Sequence, residues 1–221
     1  MNKGEQELLR RAASVIGHDL RNPLAVINNS SYFVRAKLGT GKALDPKVEK
    51  HLKIIESEIA RADRLLADML TFSRPYEPAA ETMPLDSVVA DAVGSYAAPE
   101  GGKVDLKLGA KGVTAKFDGK AFADALLRLL DNAFAAQDEK GTVKVVTSAG
   151  KDGLMVSVTD AGKGVDPKIK DEMYEAFMTT KPKGMGLGLS LARKFLEGNG
   201  GTVNCETGPK GSTFRLVLPK A

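Results

Sequence analysis

Apolar residues recur along the first third of the chain in the four-three rhythm of a helical seam. Val48, Leu52, Ile55, Ile59, Ala62, Leu66 and Met69 keep it without a break, while Lys53, Glu56, Arg61, Asp63 and Arg64 turn elsewhere. This is the heptad pattern of a coiled coil. Asp45 suits the N-cap of this helix and Pro46 its first position. An earlier run is Leu9, Ala13, Ile16, Leu20, Leu24, Ile27, Ser31, Val34 and Leu38. It follows the same steps except at Leu20 to Leu24, where two fours meet. Such a stutter locally unwinds a supercoil. Pro23 removes a backbone donor at the same place, so a bend is expected there. Gly39-Thr40-Gly41-Lys42 joins the two helices. A hairpin this long leaves an apolar stripe that it cannot cover alone. Pairing with a second copy into a dimeric four-helix bundle would cover it.

Pro75, Pro78 and Pro84 mark a break, and the pattern changes beyond them. Asp86 to Tyr96 reads as a short helix, and Val104 to Leu108 and Val113 to Phe117 alternate as strands. Ala121 to Gln137 is an apolar helix, followed by strands at Val143 to Thr147 and Leu154 to Thr159. Lys168 to Phe177 and Leu187 to Glu197 read as helices, and Val203 to Glu206 and Thr213 to Leu218 as closing strands. Strands and helices mixed at hairpin-like spacing predict an α+β sandwich, with helices on one face of a largely antiparallel sheet. The expected organisation is a helical hairpin over residues 1–75, a linker over 76–84 and a second domain over 85–221.

Composition narrows the class. The chain has 221 residues, 43% apolar and 27% charged, with no Trp, so its core is mainly aliphatic. The net charge of +4 is mild, and no basic block is interleaved with aromatics, which argues against nucleic-acid binding. The single Cys205 makes no internal disulfide and fits a reducing compartment; it reads as a small buried strand residue. No stretch approaches the ~20 apolar residues of a membrane span, and the N-terminus lacks the apolar core of a signal peptide. The expected location is cytoplasmic, for the chain itself or as the cytoplasmic portion of a longer sensor.

Candidate chemistry begins at Gly17-His18-Asp19-Leu20-Arg21-Asn22-Pro23-Leu24. A His followed at once by a carboxylate is a nucleophile with its own base, and Asn22 lies one helical turn along on the same side. His18 falls off the apolar stripe and should point outward. The other histidine, His51, has no such company and reads as a surface residue.

Three later segments suggest a nucleotide. Asp160-Ala161-Gly162-Lys163-Gly164 follows a strand. A carboxylate there can accept from an adenine amino group, and glycines permit close backbone approach, though a plain turn has the same composition. Gly184-Met185-Gly186-Leu187-Gly188 opens an apolar helix, whose exposed amides suit an anion. It follows a loop rather than a strand, so a Rossmann dinucleotide site fails. Asn132, in the apolar helix Leu126 to Ala133, is costly to bury without a partner. That partner could be Mg²⁺ or its water shell, or another core group.

These segments, in this order and with Phe177-Met178-Thr179-Thr180-Lys181-Pro182 before the glycines, resemble the ATP-binding domain of sensor histidine kinases. That domain shares its fold with type II topoisomerases, Hsp90 and mismatch-repair ATPases. Asn132 matches the N box, Asp160 to Gly164 the G1 box, Phe177 the F box and Gly184 to Gly188 the G2 box. His18 to Leu24 matches the H box of the dimerisation and phosphotransfer domain. The likeness spans about residues 5 to 219.

It implies an Hsp90/gyrase/histidine-kinase-type sandwich behind the hairpin, using ATP and Mg²⁺. It implies His18 as the autophosphorylated nucleophile, Asp19 as its acid/base partner and Asn22 as the residue placing a hydrolytic water. Asn132 would hold Mg²⁺, and Asp160 would recognise adenine. Gly162, Gly164, Gly184, Gly186 and Gly188 would shape the pocket, with Lys181 in a short lid and Thr213 lining the adenine site. The implied partners are a response-regulator receiver domain, docking near Leu24 and Ile27, and a second copy of the chain.

Two positions depart from the family pattern. Arg128 stands where the N box has its first Asn, and Ala135 where a basic residue is usual. Arg cannot ligate Mg²⁺; it could touch phosphate or face solvent. The alternative reading is therefore a non-catalytic phosphotransfer scaffold with a weakened ATP site. A serine-directed kinase of the same ATP fold is a third, which the H box disfavours.

Overall fold

The computed structural model describes residues 3–39, 44–151, 153–167, 169–181 and 185–220, with the backbone alone over 3–15 and 17–19. The chain divides into two compact units, Met1–Pro75 and Tyr76–Ala221.

The first unit is helical. Helix α1 spans Lys3–Leu38 and runs on through Pro23. Helix α2 spans Pro46–Ser73, capped by the Asp45 carboxylate, which accepts from the amides of Lys47 (2.8 Å) and Val48 (3.4 Å). The residues buried on α2 are Leu52, Ile59 and Leu66, one per heptad, as a 3.5-residue apolar period requires. The two helices pack on each other. Arg35 clamps Glu56 with both arms of its guanidinium, Nε to Oε1 (3.1 Å) and Nη2 to Oε2 (2.9 Å). Within one chain Ile16, Leu20, Val26, Ile27, Tyr32, Phe33, Ile54 and Ile55 stay exposed.

The second unit is an α+β sandwich. Its elements are β1 (Glu81–Pro84), α3 (Leu85–Ser95), β2 (Gly102–Lys107), β3 (Thr114–Phe117), α4 (Gly119–Ala136), β4 (Gly141–Gly150), β5 (Gly153–Thr159), α5 (Gly188–Gly198), β6 (Thr202–Gly208) and β7 (Gly211–Leu218). The main sheet has the order β2-β4-β5-β7-β6 and is antiparallel except between β2 and β4. Helix α4 buries Phe122, Leu126, Leu129, Leu130, Ala133 and Phe134. The sheet contributes Val143, Val145, Leu154, Val156, Val158, Leu216 and Leu218 to the same core. Each large side chain buried there contributes about 1.5–3 kcal/mol.

Two expectations need correction. Residues 168–177 do not form a helix: the described part is a chain of turns. Its amides donate three residues back, Glu172 to Ile169 and Glu175 to Glu172, and Phe177 takes a positive φ of 68°. Residues 76–84 are not free linker. Glu81–Pro84 pairs with β3. The Tyr76 ring meets Phe195 edge-on at 5.1 Å. Its hydroxyl donates to Asp118 (3.2 Å) and accepts from Asn199 (3.0 Å). Burial, first, and the Asp118 carboxylate push the Tyr76 phenol up to about 12.

Candidate nucleotide site and phospho-acceptor helix

The strand β5 delivers Asp160 to its end, where the residue is only 4% exposed. Its backbone N–H donates to Ser212 O (3.0 Å), which ties the strand end to β7. Its Oδ1 accepts from the amides of Gly162 (2.9 Å) and Ser212 (3.2 Å). Both bonds fall on one oxygen, and Oδ2 remains to receive a ligand donor. Burial holds the carboxyl above the usual carboxylate range, opposed by these amides, which favour the charge.

The turn after Asp160 is wedged between two neighbours, and its glycines are steric. A Cβ on Gly162 would strike the backbone carbonyl of Ala136 at the end of α4. Gly164 has φ +75°, and a Cβ there would strike Gly208 O. Gln137, just past α4, fixes the same turn by accepting from the Ala161 amide with Oε1 (3.0 Å). Thr207 accepts from the Val165 amide (2.8 Å) and shares a hydrogen bond with Ser212 (2.9 Å). Gln137 was not singled out from the sequence, since a polar residue after a helix carries no signal of its long-range partner. Thr213 faces Thr159 across β7 and β5, with their hydroxyls 3.0 Å apart.

Phe177 and Gly186 pair with each other further along the chain. The Phe177 amide donates to Gly186 O (3.1 Å). Gly186 has φ +72°, and a Cβ there would lie 2.6 Å from Phe177 C and Met178 O, so only glycine fits. Phe177 is 51% exposed. Gly188 begins α5 and has open space around it; its freedom is not demanded by packing. Gly184 lies outside the described residues.

Asn132 stands on α4 beside the buried stripe, half-exposed. Its Oδ1 accepts from Lys181 Nζ at 2.7 Å. That contact fastens the segment after Phe177 to α4. Partial burial lowers the lysine's pKa, against the attraction of Asp131 and Glu139. Asp131 is exposed as expected, but accepts from the Tyr96 hydroxyl (2.9 Å). Arg128 does not face open solvent: its Nε donates to Asp124 Oδ2 one turn back (2.8 Å), with its side chain 17% exposed. An amide oxygen already holding a cation fits Mg²⁺, a hard ion that takes oxygen ligands. Asn132 offers an oxygen of this kind.

On α1, His18, Asp19 and Asn22 all lie within the helix, so Asn22 is one turn from His18. Asn22 is exposed, and so are Ile16 and Leu20 on either side of His18. The side chains of His18 and Asp19 lie outside the described residues. His51 is exposed on α2. Cys205, on β6, is half-buried rather than buried. Burial, first, and nearby Asp160 push its thiol up to about 11.

Residues 8–77 match the His Kinase A (phospho-acceptor) domain. Residues 117–221 match the histidine kinase-, DNA gyrase B- and HSP90-like ATPase domain. The chain is 28% identical over 216 residues to the sensor histidine kinase ZraS of Escherichia coli K12, covering 96% of this chain and 45% of that protein. It is 32% identical over 219 residues to the sensor protein FixL of Bradyrhizobium diazoefficiens, covering 95% and 43%. The chain thus spans less than half the length of these relatives. Full-length ShkA, solved in complex with AMPPNP, superposes with a TM-score of 0.78 at 22% identity, over 96% of this chain and 46% of that one; this likeness is one of fold. With a phospho-acceptor domain ahead of an HSP90-like ATPase domain, and sensor kinases related along nearly its whole length, the chain belongs to the sensor histidine kinases of two-component systems.

Proposed function

We propose that the chain catalyses ATP-dependent phosphorylation of His18 and passes the phosphoryl group to an Asp of a response-regulator receiver domain. The observation that carries this reading is Asp160: a buried carboxyl with one oxygen held by two backbone amides and the other left for a donor. Such an acceptor suits an adenine amino group. The turn held by Gln137 adjoins it.

The chemistry follows from residue types. Asp19 accepts the N–H of one imidazole nitrogen and leaves the other with a free lone pair. That lone pair attacks the γ-phosphorus of ATP; the bond to the β–γ bridging oxygen breaks, and ADP leaves. Mg²⁺, held by Asn132, would supply charge neutralisation on the triphosphate. A receiver carboxylate then attacks the phosphorus and the P–N bond breaks, restoring the imidazole. Asn22 orients a water for hydrolysis of the receiver's acyl phosphate.

The apolar side chains left exposed on α1 and α2 support a homodimer, with a second copy completing a four-helix bundle. Among the described residues no helix is long and apolar enough to cross a membrane. We take residues 1–75 as the dimerisation and phosphotransfer unit and 76–221 as the ATP-binding domain.

Incubation with γ-labelled Mg-ATP should give an acid-labile, base-stable label on the protein. Nucleotide binding with no label on the chain itself, and acid-stable label on a partner, would instead support the serine-directed reading. Absence of Mg-ATP binding would support the scaffold. Asn22→Ala should leave autophosphorylation within about twofold and slow loss of phosphate from the receiver by about ten- to a hundredfold. Equal loss of both activities would give Asn22 a structural task.

A further inference from the structure

The contact between Lys181 and Asn132 has a chemical cost that the kinase reading does not explain. Asn132 offers one oxygen, and that oxygen is the one fitted to a metal ion. In this structure an ammonium group from the same chain sits on it at 2.7 Å. The lysine is anchored there from its own backbone, since its amide donates to Thr179 Oγ1 (3.0 Å). The preceding residues are tied down in turn by the Phe177 amide on Gly186 O. Asp131 is Asn132's neighbour on α4 and, with Glu139, acts on the lysine's charge. The oxygen is therefore already occupied by a cation of the chain itself.

A hard divalent ion and an ammonium cannot both sit at contact with one amide oxygen, because two like charges at that spacing repel strongly. One must leave when the other arrives. A displaced Lys181 stays tethered at the same site, where the mobile charge nearest to it would be a nucleotide phosphate.

We propose that Lys181 is a built-in competitor for magnesium at Asn132. It holds the Asn132 carboxamide oriented before nucleotide arrives, yields that oxygen to Mg²⁺, and then serves the phosphates as a second cation. This rests on the reading of the pocket as an ATP site. It makes Lys181 a positioning residue with two opposed effects. It raises the magnesium concentration needed to load the site, and it supports nucleotide binding where magnesium is scarce.

Lys181 is exposed, so substitution spares the core. The test is binding of a fluorescent ATP analogue to the full chain, with magnesium titrated in and, separately, with chelator present. Wild-type protein should retain measurable chelator-resistant binding. Lys181→Met should lose that binding by about tenfold and should reach half-saturation at a several-fold lower magnesium concentration. Lys181→Arg should restore the chelator-resistant binding. The side-chain amide resonance of Asn132 should shift in Lys181→Met before any nucleotide is added. The proposal is overturned if Lys181→Met weakens binding equally with and without magnesium, which describes an ordinary phosphate ligand, or if neither measurement changes. If wild-type protein binds no nucleotide under either condition, the ATP-site reading itself falls, and this inference falls with it.

Discussion

His18→Gln should abolish acid-labile labelling from γ-labelled ATP, by at least about a thousandfold, while nucleotide affinity stays unchanged. Glutamine carries no basic nitrogen lone pair, so it cannot attack phosphorus. It fits the helix at least as well as histidine does, and the neighbouring Ile16 and Leu20 are exposed, so α1 remains intact. The nucleotide pocket belongs to the other unit and has no reason to change. Retention of label in this variant would remove His18 from the reaction. Loss of label together with loss of nucleotide binding would show a folding defect instead.

Asp160→Asn should lower ATP affinity by about a hundredfold or more and leave the fold at least as stable at neutral pH. Asparagine's oxygen can keep the two bonds from Gly162 and Ser212. Its NH₂ group then stands where an acceptor is needed and opposes the adenine amino group, and an unmet buried polar pair is expensive. The stability arm follows from the raised pKa, whose main cause is desolvation. A carboxyl that holds its proton more tightly when folded contributes stability below the unfolded value and loses it as pH rises through the folded one. Wild-type protein therefore carries an unfavourable buried charge at neutral pH that the variant lacks. In the wild type, nucleotide affinity should fall as pH drops through the raised value, because the acceptor is then protonated. Calorimetry over a pH series and thermal melts of both proteins check this. An Asp160→Asn variant that binds ATP normally would displace Asp160 from adenine recognition.

Much of this molecule is legible from local periodicity. The four-three spacing of Leu52, Ile59 and Leu66 anticipated the buried seam of α2, because a helical period acts within a few turns and needs no distant partner. The helix from Ala121 to Gln137 falls within two residues of the observed Gly119–Ala136 at each end. The segment 168–177 misled for the opposite reason. Ile169, Met173, Tyr174 and Phe177 are spaced like a helical face, yet the backbone there closes separate turns and ends in a left-handed Phe177. Pairing between the Phe177 amide and Gly186 overrides the local pattern. Strand β1 was missed because four residues ending in Pro84 carry almost no alternation; β3, some thirty residues away, makes it a strand.

The chain's own residues determined its two-part plan, the His18-Asp19 pair, and the order of acidic, aromatic and glycine-rich segments, since each is a matter of residue type and short spacing. Tertiary structure alone decided which of those groups touch. It placed Lys181 on Asn132 and brought the Ser212 amide to Asp160. Contacts between residues some fifty positions apart depend on how the sheet and helices close in space, and no pattern along the chain encodes that distance.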